Sequence, residues 1–109
     1  MIRLGKIIFS NCDFPYYAIG QQKISTHDIT ITEAHPVELA RLLFEDRLDI
    51  TPISSIMYAK RNDLLILPGL SITSNDFTKS VLICSNDKFG LSDFEGKTLC
   101  IPETTASSA

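Results

Sequence analysis

Four clusters of short polar side chains punctuate this sequence: Ser10-Asn11-Cys12, Thr51 with Ser54 and Ser55, Ser71 with Thr73 and Ser74, and Thr104-Thr105 with Ser107-Ser108. Each follows or ends an apolar run that reads as a strand, so all four share one expected address, the carboxyl end of a strand. In open α/β sheets ligands bind at that edge. Helices starting there offer unpaired backbone N–H groups to an anion, and hydroxyls and an amide add neutral donors. The chemistry indicated is the holding of a small anion, such as a carboxylate. Ser, Thr, Asn and Asp are also the commonest helix caps, so any single cluster is more often structural than functional. Only the four together on matching strand ends bring the two readings level. Asn11 is the most informative member, because its amide can both donate to and accept from a ligand hydroxyl or carboxylate.

The remaining reactive side chains are less organised. His27, in Ser25-Thr26-His27-Asp28, reads as an exposed turn. His35 stands between a strand and a helix, where it either lines a cleft or belongs to the loop. Asp49 either caps the segment after it or holds the loop. Cys12, Cys84 and Cys100 show no C-x-x-C spacing. The last two lie in apolar runs and read as small buried hydrophobes, whereas the role of Cys12 stays open. No His–Asp arrangement accompanies Cys12 to make it a nucleophile. The sequence has no G-x-S-x-G, P-loop, G-x-G-x-x-G or H-E-x-x-H motif, so the common hydrolase, nucleotide and dinucleotide signatures are missing.

These residues need elements to position them. The run 4–10 carries β-branched Ile7 and Ile8 and predicts a buried strand. Asp13 is placed to cap a short helix over 14–21, with Pro15 in its first turn. Residues 28–33 alternate at period two and predict a strand, and 36–46 carry an apolar stripe at helical spacing. Leu48-Asp49-Ile50-Thr51 reads as a third strand stopped by Pro52, followed by a helix start at 53–60. Strand-like runs recur at 64–74, 79–85 and 97–102. Strands alternating with helices imply crossovers and a parallel sheet. A hydroxyl-rich stretch after the last strand is a helix start without its helix, and a parallel sheet needs that cover. The expectation is therefore an incomplete chain, the first part of a longer fold or one piece of a split protein.

Composition sets outer limits. The 109 residues suit one ordinary domain. With 44% hydrophobic and 21% charged residues, the chain falls in the globular class rather than the disordered one. The net charge of −3, with both signs interspersed, provides neither a basic face for nucleic acid nor a polybasic membrane patch. No apolar run approaches the roughly 20 residues of a bilayer span. Lys6 interrupts the N-terminal apolar run, and no cleavage motif follows, so no signal peptide is read and a cytoplasmic location is expected.

Several blocks together resemble a known family. The opening Arg3-Leu4-Gly5-Lys6-Ile7-Ile8-Phe9-Ser10-Asn11-Cys12, the block 48–59 (LDITPISSIMYA), the phrase 67–74 (LPGLSITS), the run 80–85 (SVLICS) and the terminal 102–108 (PETTASS) resemble, in matching order, the chorismate dehydratases of the futalosine route to menaquinone. The sister family of that route, the 1,4-dihydroxy-6-naphthoate synthases, usually carries Cys-Pro-Asn-Asp near its start. The order Asn11-Cys12-Asp13-Phe14-Pro15 is closer to the dehydratase type. The link 75–79 (NDFTK) departs from the shorter, glycine-containing link of the family.

The resemblance implies an α/β fold of the type II periplasmic-binding-protein kind. Residues 1–74 would form the first lobe, 75–95 the crossover, and 96–109 the beginning of the second lobe of a much longer protein. It implies a metal-independent lyase with no cofactor, acting on the small carboxylate chorismate. A second chain supplying the missing lobe is a further implied partner. Asn11 and Ser80 are implied as catalytic residues. Ser54 and Ser55 match the serine pair of the first lobe, and Thr105, Ser107 and Ser108 match the helix start that holds a substrate carboxylate. A non-catalytic carboxylate-binding protein of the same fold is the other alternative.

Overall fold

The computed structural model describes residues 1–77, 82–88 and 90–101. Strand β1 (Ile2–Ile7) pairs in parallel with β2 (Ile29–Ala34), in register from Ile2 opposite Ile29 to Ile7 opposite Ala34. On the other side of β1 the chain returns at residues 49–50. A single parallel bridge joins Leu4 to Ile50, with Asp49 N–H donating to Arg3 O at 2.8 Å and Gly5 N–H to Ile50 O at 2.8 Å. The third strand expected over 48–51 is thus reduced to this bridge. Pro52 lacks an N–H and cannot extend it.

The spatial order β2, β1, residue 50 makes the chain move outward from β1 and then back across it. Two crossovers of the usual right hand then fall on opposite faces of the sheet. They do. The first connection covers the face bearing Lys6, Ile31 and Glu33 with Tyr16, Tyr17 and Ile19. The second contains α2 (Pro36–Phe44), whose Leu39 and Leu42 pack on Ile7 and Ala34 of the other face. Leu39 is fully buried there, with Cys12 and Leu48 completing the cluster.

Both connections close by the same device. After α2, Asp46 adopts φ 56°, its N–H donates to Leu43 O and Arg47 N–H donates to Leu42 O. This is a Schellman closure with Asp in the left-handed position that Asn and Asp tolerate, and it stops the helix two residues before the expected end. The predicted helix 14–21 divides into a 3₁₀ turn Phe14–Tyr16 and a short α1 (Tyr17–Gly20). Gln22 at φ 54° closes α1, with Gln22 N–H on Ile19 O and Lys23 N–H on Ala18 O. Asp13 does not cap this segment. Its carboxylate instead lies 2.9 Å from Lys6 Nζ, which also meets Glu33 at 3.1 Å.

Asp49 neither caps nor holds the following loop. It grips Arg3, with Nη2 at 2.6 Å, Nε at 3.2 Å and the Arg3 backbone N–H at 2.7 Å. These donors pull the Asp49 carboxyl down to about 2. Because the folded value lies below the ordinary ~3.9 of the unfolded chain, the contribution is complete above that value. It is lost as pH falls toward the folded value, once both states protonate. Asp49→Asn should therefore destabilise the protein at neutral pH and remove part of the stability change between about pH 4 and pH 2. Urea unfolding followed across that range checks it, and the difference from wild type should shrink in high salt because the pair is exposed. A constant difference down to pH 2 would contradict this account.

Beyond α3 (Ser55–Tyr58) the packed body ends where Arg61 reaches back, its guanidinium 5.2 Å from the Phe44 ring centre and Nη1 donating to Phe44 O at 3.2 Å. Over residues 65–77 the chain forms no helix or strand, and its apolar side chains stand in solvent. Leu65 is 97% exposed and Phe77 85%. The strands expected at 64–74 and 97–102, and the described part of 79–85, do not form within the described residues. β-branched alternation makes a segment fit for a sheet, but a strand exists only by pairing, and these runs meet no partner strand among the described residues. The radius of gyration, 17.3 Å, exceeds the ~13 Å of a packed chain of this length. Cys84 and Cys100, expected to be buried, are exposed for the same reason. Cys12 is the buried cysteine of the three.

Candidate functional site: the carboxyl edge of the sheet

The carboxyl ends of β2, β1 and the residue 50 segment lie side by side. From them emerge His35, then Ile8-Phe9 leading into a 3₁₀ turn over Ser10–Cys12, then Thr51-Pro52-Ile53-Ser54. Asn11 is therefore flanked in the sheet order by the His35 exit and the Thr51–Ser55 exit, the arrangement at a topological switch point. Of the sequence-predicted site residues, Asn11, Ser54 and Ser55 are brought to this one edge. Ser80, Thr105, Ser107 and Ser108 lie outside the described residues.

Each side chain of the edge has a defined state. Asn11 is exposed, and its Oδ1 lies 3.6 Å from Cys12 Sγ. Among the described residues its Nδ2 donates to nothing. Ser54 caps α3, its Oγ accepting from Met57 N–H at 3.4 Å, which leaves the hydroxyl proton available to a ligand. Ser55 is exposed at the start of that helix. The Thr51 hydroxyl faces Pro52 O at 3.4 Å. His35 packs edge-on to Phe9, centroids 5.8 Å apart, with Nδ1 buried and, among the described residues, without a partner. His35 is thus a member of the edge rather than a free loop residue. The sequence signal for that was its position directly after a period-two strand.

Other candidates fall away from this edge. His27 precedes β2, at the amino end of the sheet, and is exposed beside Asp28 at 3.2 Å. Ser71, Thr73 and Ser74 follow no strand among the described residues; Ser74 Oγ closes a local turn on Asp76 O at 2.7 Å. An open groove of about 320 Å³ runs between Lys6, Tyr16, Tyr17, Ile31 and Glu33. It lies over a face of the sheet and includes none of the predicted site residues. Lys6 carries its charge between two carboxylates on that face; the Asp13 and then the Glu33 hydrogen bond raise its pKa. Asn11, Ser54 and Ser55, the predicted residues at the carboxyl edge, supply uncharged donors.

An edge of neutral donors has the chemistry to hold a small carboxylate. The family described as menaquinone biosynthesis matches residues 2–109. The chain belongs to that family. No curated protein and no solved structure gives a significant match. The match covers Asn11, Ser54 and Ser55 and also Ser80, Thr105, Ser107 and Ser108, and it is consistent with the resemblance to the chorismate dehydratases. Within this menaquinone-biosynthesis family, the described part of the chain contributes a small α/β body with a two-stranded parallel sheet, at whose carboxyl edge Asn11 stands exposed.

Proposed function

We propose that this protein is a chorismate dehydratase, converting chorismate to 3-[(1-carboxyvinyl)oxy]benzoate and water within menaquinone biosynthesis. The observation that carries the reading is the family match over residues 2–109 with Asn11 exposed at the carboxyl end of β1. The proton lost sits on a ring carbon conjugated through a double bond to the ring carboxylate. Its removal places negative charge on that carboxylate, and the neighbouring C–O bond then breaks. Hydroxide leaves, takes up the proton to become water, and the ring becomes aromatic. Donors aimed at the ring carboxylate stabilise the charge as it develops.

In this reading Asn11 orients the substrate or its leaving hydroxyl, with Ser80 as a second catalytic residue. Ser54 and Ser55 bind substrate from the first lobe, and Thr105, Ser107 and Ser108 clamp a carboxylate from the second. A substrate carboxylate serves as the base. The fold proposed is the two-lobed periplasmic-binding-protein type, with 1–74 in the first lobe and 96–109 opening the second. Asn11 stands exposed, whereas chemistry through a developing enolate needs water excluded. The edge therefore works only when a second lobe closes on it, and the 109 residues by themselves are inactive.

The test is incubation of the complete gene product with chorismate while aromatic absorbance is followed and the product mass is read. The expected product is chorismate less one water. Formation of 1,4-dihydroxy-6-naphthoate from the precursor of that compound, without turnover of chorismate, would assign the protein to the sister synthase. Tight carboxylate binding with no spectral change would make it a binding protein instead.

A further inference from the structure

We propose that Cys12 is a positioning residue for Asn11: its thiol donates to the Asn11 amide oxygen and so turns the amide NH₂ outward, toward a bound carboxylate or hydroxyl. The inference rests on the reading of Asn11 given above. A terminal amide torsion is broad and roughly two-fold, so an unrestrained asparagine presents oxygen and nitrogen to a ligand about equally. A neighbouring S–H group biases that choice toward the oxygen, because the amide oxygen accepts a hydrogen bond well while sulfur accepts one from the NH₂ only weakly.

The geometry supplies such a donor. Cys12 Sγ lies 3.6 Å from Asn11 Oδ1, within reach of a sulfur hydrogen bond. The cysteine is fixed. It is 4% exposed and packs among Ile7, Leu39, Leu42 and Leu48. The turn carrying both residues is pinned by Cys12 N–H on Phe9 O at 2.9 Å and Asp13 N–H on Ser10 O at 3.1 Å. Burial, and then the nearby Asp13 carboxylate, push the thiol pKa up, so sulfur keeps its proton at neutral pH and remains a donor. One face of the turn is anchored in the core while the adjacent side chain stands in solvent. That is how a rigid element holds a functional group in one orientation.

Cys12→Ala and Cys12→Ser, made in the complete gene product, separate positioning from packing. Loss of one weak hydrogen bond should lower kcat/KM for chorismate about 3- to 10-fold in Cys12→Ala. Cys12→Ser keeps a donor at the same place and should stay within about 2-fold of wild type, even though a hydroxyl among apolar side chains makes it the less stable of the two in thermal unfolding. A packing role gives the reverse activity order, alanine above serine, and would overturn the proposal.

A second readout needs no turnover. In ¹⁵N-labelled protein, Cys12→Ala should shift the Asn11 side-chain NH₂ signals, and Cys12→Ser should leave them near their wild-type positions. Signals unmoved in Cys12→Ala would overturn the proposal, and this spectrum decides alone where Cys12→Ser does not fold. Wild-type protein inert toward chorismate would remove the dehydratase reading while the spectra still decide the role of Cys12.

Discussion

Gly5→Ala is expected to unseat the segment that carries Thr51 to Ser55. A Cβ built on Gly5 would overlap Thr51 Oγ1 and lie 2.6 Å from Thr51 Cβ and 2.9 Å from Leu48 Cδ1. Leu48 can rotate, but Thr51 Cβ is fixed to its backbone, and that backbone is tied to the same residue through Gly5 N–H on Ile50 O at 2.8 Å. β1 and the residue 50 segment must therefore separate. Gly5 O also accepts the buried Tyr16 hydroxyl at 2.7 Å, so movement of Gly5 also disturbs the first connection. Overpacking of this kind costs about 3 kcal/mol, a large part of the stability of a domain this size.

Urea unfolding should show the midpoint well below wild type. The double variant Gly5→Ala/Thr51→Gly should recover stability relative to Gly5→Ala, whereas Gly5→Ala/Thr51→Ala, which keeps the offending Cβ, should not. A wild-type midpoint in Gly5→Ala would refute the close approach. The same change should lower activity of the complete protein, because Thr51 leads directly into Ser54 and Ser55 at the carboxyl edge.

That contact was invisible in sequence, although much around it was not. The alternation at 28–33 and the helical stripe at 36–46 report side-chain burial, and burial decided both elements: β2 and α2 appear within two residues of expectation. The parallel pairing of β1 with β2 followed from alternation of strand and helix. What failed were inferences that depended on a particular partner beyond that parallel pair. Asp13 has the chemistry of a cap, yet Lys6, one residue before the end of β1, offered a full charge and won. The runs at 64–74 and 97–101 have the composition of strands and remain exposed, because composition cannot supply the strand opposite.

The site divides along the same line. Asn11, Ser54 and Ser55 were legible because strand ends are legible, and the switch point brings them to one edge. His35 was readable only as an alternative between cleft and loop, since its contact with Phe9 depends on two strands ending at the same level. Cys12, with no nucleophilic partner in the sequence, is left open there; a contact between adjacent side chains needs the 3₁₀ turn that the sequence reading took for the approach to a capped helix.

Asn11→Ala in the complete gene product should reduce kcat for chorismate by about 100-fold, the usual effect of deleting one donor that serves a developing charge. Stability should change by less than about 0.5 kcal/mol, because the side chain is exposed. Its recorded hydrogen bond is the weak one from Cys12. Equal unfolding midpoints with unequal turnover would place the loss in chemistry rather than folding. Asn11→Asp sharpens the result. Aspartate keeps the size of asparagine and an oxygen for the Cys12 thiol, but it has no N–H and carries a negative charge. If the amide NH₂ serves the substrate, Asn11→Asp should be no more active than Asn11→Ala, and its KM should rise as the two carboxylates repel. If only the oxygen matters, Asn11→Asp should retain turnover where Asn11→Ala does not. Wild-type turnover in Asn11→Ala would take Asn11 out of the reaction altogether and leave the exposed amide as the end of a turn.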